Sequence, residues 1–116
     1  MSYDGNEEYW FRFRSLTETQ VHALQNHGVH VELRPKRNSP GQFVASFRLS
    51  HADAYDWLPS FVQTYELADS EYGVFGSLLT NHDSEIVTLP AFILDVHRRV
   101  GGQIEFSFTM VEDSSQ

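Results

Sequence analysis

Apolar and polar side chains alternate from the chain's first structured stretch: Tyr9, Phe11 and Phe13 fall on one face, and Trp10, Arg12 and Arg14 on the other. Period two is the pattern of a strand buried on one side. Ser15 with Glu18 three residues later reads as a capping box, which predicts a helix from Leu16 carrying Leu16, Gln20, Val21 and Leu24 along one side. Gly28 is placed to stop it as the left-handed C′ residue, with Leu24 and Val29 as the apolar pair of a Schellman ending. Alternation resumes at Val29, Val31 and Leu33, breaks at the loop Pro35 to Gly41, and returns at Phe43, Ala45, Phe47 and Leu49, which predicts a hairpin.

Ser50 and Asp53 predict the start of a second helix bearing Ala54, Tyr55, Leu58, Phe61, Val62 and Tyr65. Pro59 then falls inside it, so a kink near Tyr55 or two short helices in succession are expected. Tyr72 to Thr80 reads as a strand weakened by Gly73 and Gly76, followed by a turn at Asn81 to Ser84 and a short apolar stretch at Ile86 and Val87. Thr88 and Pro90 open a third helix with Leu89, Phe92, Ile93, Val96 and Val100 on its apolar face, closed by Gly101 and Gly102. Ile104, Phe106, Phe108 and Met110 alternate with Glu105, Ser107 and Thr109 as a last strand. Because each strand has one apolar face, the fold class is α+β: a single mixed or antiparallel sheet of about five strands with three helices packed on one face. Residues 1–116 make a single domain on this reading, with polar 1–8 and 112–116 as flexible ends.

Charge changes this picture more than composition does. The net charge of −8 argues against nucleic acid or anionic lipid as a partner. Its distribution is uneven: up to Arg48 five acids face six bases, but Leu49 to His97 holds eight acids and no Lys or Arg. The acids there are Asp53, Asp56, Glu66, Asp69, Glu71, Asp83, Glu85 and Asp95. There is no cysteine, no apolar run long enough to span a bilayer and no signal-peptide pattern, so a cytoplasmic protein is expected.

Residues that could carry chemistry are few. His22, His27 and His30 lie close in sequence, but one sits on a helix, one at its end and one on a strand, so no shared metal geometry is expected. His82, Asp83 and Ser84 have the residue types of a catalytic triad, yet neighbours in one turn rarely aim at one another. Asp53 and Asp56 could pair as acid and base, with solvation of a helical face as the plainer reading. Arg34, Lys36 and Arg37 form a basic knot to which Arg12 and Arg14 could be added across the sheet, either to grip a phosphate or acidic partner or to guard an edge strand. Arg98 and Arg99 suit the end of a helix. No cofactor or metal is called for.

The closing segment, Ile86-Val87-Thr88-Leu89-Pro90-Ala91-Phe92-Ile93-Leu94-Asp95 and then Gly101-Gly102-Gln103-Ile104-Glu105-Phe106-Ser107-Phe108-Thr109, resembles the ends of small bacterial immunity proteins of toxin systems. The resemblance implies a non-enzymatic protein that binds and neutralises one cognate toxin, and carries over no individual residue. The leading expectation is therefore a protein-binding module, monomeric or a small homo-oligomer. Its contact surface would be acidic, formed by Asp53, Asp56, Glu66, Asp69, Glu71, Asp83 and Glu85, and its partner a basic toxin or nuclease domain. The alternatives are a small enzyme or ligand-binding domain with an aromatic pocket between sheet and helices, and an assembly subunit using the Trp10, Arg12 and Arg14 face.

Overall fold

The alternation at Tyr9–Phe13 does what its period requires: Phe11 and Phe13 are fully buried, Tyr9 nearly so, and Trp10, Arg12 and Arg14 lie on the opposite side. The computed structural model describes residues 7–50, 55–80 and 89–110, with side chains for 8–50, 55–77 and 89–107. Its elements are β1 (Glu7–Thr17), α1 (Glu18–Gln25), β2 (Val31–Pro35), β3 (Gln42–Arg48), α2 (Leu58–Thr64), β4 (Tyr72–Thr80), α3 (Ala91–Val100) and β5 (Gln103–Met110). The five strands form one mixed sheet in the order β2-β3-β1-β4-β5, antiparallel except for the parallel β4–β5 pair that α3 connects. Val21 and Leu24 of α1, Leu58, Phe61 and Val62 of α2, and Ile93 and Val96 of α3 join the strand phenylalanines in one core. All three helices therefore cover the same face of the sheet.

Phe11, Phe13 and Phe47 have no exposed surface, and each contributes about 1.5–3 kcal/mol through removal of apolar area from water. Their rings pack among Tyr72 and Phe61 at centroid distances of 5.2–6.4 Å, in tilted, stacked and edge-on arrangements that suit the ring quadrupoles.

Several boundaries differ from those the sequence predicts. The first strand does not end at Arg14 but runs to Thr17, through a register shift between Phe13 and Leu16. Odd positions are buried up to Phe13; the extra residue changes the phase and returns Leu16 to the core, fully buried, as a strand residue. Ser15 is consequently not a cap, and its hydroxyl donates instead to Gln42 Oε1. The N-cap is Thr17, whose Oγ1 accepts from the Gln20 amide at 3.3 Å while Gln20 Oε1 accepts from the Thr17 amide at 2.9 Å, a capping box two residues later than predicted. At the other end the C-cap is Asn26, and Gly28, with φ of 83°, stands one residue beyond the C′ position.

Pro59 neither kinks a helix nor divides one. It lies in the first turn of α2, where its missing N–H costs nothing, so this helix starts at Leu58 and does not continue from Tyr55, while the start expected from Ser50 and Asp53 falls on residues 51–54, outside the described residues. Tyr55 precedes that helix, buried, with its hydroxyl accepting from the Ser50 amide at 2.8 Å. Glu7 and Glu8 belong to β1 and are not part of a loose terminus, as their pairing with Leu78 and Ser77 shows. The turn at Asn81 to Ser84 and the apolar stretch at Ile86 and Val87 lie outside the described residues, and β4 pairs with β1 and β5. No helix among the described residues is long and apolar enough to cross a membrane.

Candidate functional site

Among the described residues no helix covers the second face of the sheet, and the strand registers show what it carries. Trp10 lies between Arg48 of β3 and Phe75 of β4, and Phe75 is followed across the sheet by Glu105 of β5. The next row runs from Glu32 through Ser46, Arg12 and Gly73 to Gln103. Arg34 of β2 sits beside Val44 of β3. This face collects Trp, Phe and Arg, the residue types that protein contact surfaces favour.

Its charges fall into two groups. Arg14 is held by Glu105 at 2.5 Å and by Gln103 Oε1 at 3.2 Å, and Arg48 lies 3.5 Å from Glu8. Both pairs are well exposed and add little to stability. Arg12 is different: its guanidinium lies 4.1 Å over the Phe75 ring, and among the described residues neither it nor Arg34 has a carboxylate within ion-pair distance. Partial burial, first, and the nearby positive charges of Arg34 and Arg14 push the Arg12 pKa below its ordinary value, with Glu105 opposing them. Arg12, Glu32, Leu33, Arg34, Val44 and Ser46 line a shallow notch of about 270 Å³. The basic knot expected at the hairpin is thus joined by Arg12 across β3, through Arg34.

A second concavity, of about 460 Å³, lies at one end of the sheet between Trp10, His27, Val29, His30, Arg48, Tyr55 and Trp57. His27 is not merely a solvated helix end, because its ring stacks on Trp57 at 4.2 Å and 5° between planes. Nothing in the sequence pattern signalled that contact, which joins the turn after α1 to the residue capping α2. His22 faces Glu18 at 3.7 Å on an exposed helix turn. Among the described residues no three metal-ligating side chains converge.

The acidic residues divide. Asp56 accepts a hydrogen bond from Arg99, which also lies 3.6 Å from Asp95, so these two carboxylates have a cation from just beyond the segment that lacks one in sequence. The Asp56 contact raises the Arg99 pKa. Glu66 and Asp69 are exposed and Glu71 half-buried, Glu66 bordering the same groove between α2 and α3 as Arg99. Asp53, Asp83 and Glu85, the His82-Asp83-Ser84 turn and the Asp53 half of the Asp53–Asp56 pair lie outside the described residues.

No family model, curated protein or solved structure matches this chain.

Proposed function

We propose that this chain is a non-catalytic protein-binding module that makes its contact through the uncovered face of the sheet. One observation carries the reading: the second face of the sheet holds Trp10, Phe75 and Arg12, all half-buried, with the Arg12 guanidinium stacked on Phe75, so aromatic surface and a partly desolvated cation lie outside the core. Such residues repay their exposure when a partner covers them.

The net charge of −8, with Glu66 and Asp69 open to solvent, favours a basic partner at long range, because exposed charge governs encounter more than final affinity. The likeness of the closing segment to immunity proteins agrees with that role: a small domain that covers a toxin and performs no reaction. Trp10→Ala and Phe75→Ala, each at a half-buried position, are expected to weaken a protein retained by the immobilised chain about tenfold or more. Gln25→Ala on the helical side serves as the control, and partner affinity indifferent to both aromatic changes overturns the reading.

A ligand-binding role has one observation in its favour, the crevice lined by Trp10, His27, His30, Arg48, Tyr55 and Trp57. Its aromatic walls and cationic rim suit a planar anionic molecule. Saturable quenching of Trp57 fluorescence, abolished by Arg48→Gln, would support that role over the first.

A further inference from the structure

We infer that the notch between Arg12 and Arg34 receives the carboxylate of an acidic side chain from the partner protein. The inference rests on the open face being the contact surface and names what that surface reads. Arg14 and Arg48 are already engaged by Glu105 and Glu8, whereas Arg12 and Arg34 face a shared concavity with no carboxylate of the described residues within ion-pair distance. An anion placed between them satisfies two planar donor forks at once, and relieves the repulsion that each guanidinium exerts on the other. Phe75 fixes Arg12 from one side, so little side-chain freedom is lost when the anion arrives. Ser46, paired with Arg12 across the sheet, adds a hydroxyl donor, and Val44 supplies apolar wall for the methylenes of the incoming residue.

A single carboxylate fits this site better than a phosphate chain. Glu32 itself lines the notch, so the two guanidinium groups leave charge for one added anion and no more, and a polyanion crossing the sheet would also meet Glu8 and Glu105 on the same face. A peptide places one charge in the notch and apolar neighbours over Trp10 and Phe75. The partner on this view is basic overall, which brings it to a chain of charge −8, and presents one acidic side chain that sets its orientation once there.

The test is a titration of the isotope-labelled full chain followed by nuclear magnetic resonance. The probe is the blocked tripeptide Leu-Glu-Leu, with Leu-Gln-Leu as the neutral control and oligothymidylate as the phosphate arm. The glutamate peptide is expected to shift the Arg12 and Arg34 Nε–H signals and the Ser46 amide, binding about tenfold more tightly than the glutamine peptide. Arg12→Gln and Arg34→Gln should each abolish that difference, and Arg12→Lys should retain only part of it because a point charge replaces the fork. Folding of the variants is checked by their thermal unfolding. An equal response to both peptides, a response that survives Arg12→Gln combined with Arg34→Gln, or tighter binding of oligothymidylate at the same residues overturns the inference. In each case the dependence of partner binding on Trp10 and Phe75 stands or falls separately.

Discussion

At the scale of single residues, burial rather than residue type ranks the costs of substitution. Phe11→Ala and Phe13→Ala remove fully buried rings from the middle of the aromatic cluster and should each destabilise by about 3–5 kcal/mol in denaturant unfolding. Phe106→Ala should cost clearly less, since that ring is only half-buried at the β5 edge. The alternation of β5 says which face Phe106 occupies, but not that an edge strand leaves it partly in water. Gly73 is the opposite case: a Cβ there would collide with the backbone of Gln103, its partner on β5. Gly73→Ala should therefore open the start of the parallel pairing, read as faster amide exchange in Gln103 to Glu105. Equal exchange in both proteins would contradict it. From sequence alone the glycine reads as a weakness in the strand; the reason for it is a contact with a residue thirty positions later.

At the scale of elements, the differences between sequence and structure have local causes. Two overlapping cap signals stand side by side, Ser15 with Glu18 and Thr17 with Gln20. The second wins because the bulge after Phe13 keeps Leu16 in the sheet, where its burial outweighs one more turn of helix. Thr17→Ala should accordingly cost about 1 kcal/mol of stability, and Ser15→Ala should cost α1 nothing as a cap, a contrast measurable by chemical denaturation together with amide exchange in Glu18 to Gln20. Pro59 belongs to the same lesson. Proline is excluded from a helix interior but welcome in its first turn, so the proline marks where α2 begins.

At the scale of the whole molecule, charge acts over distances at which packing is silent. Reversal of the exposed Glu66 and Asp69 to lysine should slow association with a basic partner and leave folding intact, and raising salt from low to near-physiological strength should slow the unaltered protein in the same way. Rapid-mixing kinetics at two ionic strengths decides this; rates that ignore both charge and salt would remove steering from the account. Asp56 is a poor choice for such a reversal, because its contact with Arg99 ties the start of α2 to the end of α3. Thermal unfolding should also be unchanged by EDTA, since among the described residues no ligand set gathers; a drop of several degrees would point back to the histidines.

The sequence by itself determined the class of fold, the face each strand buries and the approximate place of every helix, because these follow from local periodicity, caps and prolines that act within a few residues. Trp10, Arg12 and Arg14 could be assigned to one face from their spacing alone. What that face contains was decided only by tertiary structure. Phase alone cannot say that β1 is central, that Phe75 comes to lie under Arg12, that Arg34 reaches the same notch from β2, or that His27 stacks on Trp57. Strand order and register join segments far apart in the chain, and they are set by how the whole core packs. The uneven charge of the sequence shows the same limit: Leu49 to His97 has no cation of its own, yet folding brings Arg99 to Asp56, because distance in space, not along the chain, decides which charges meet.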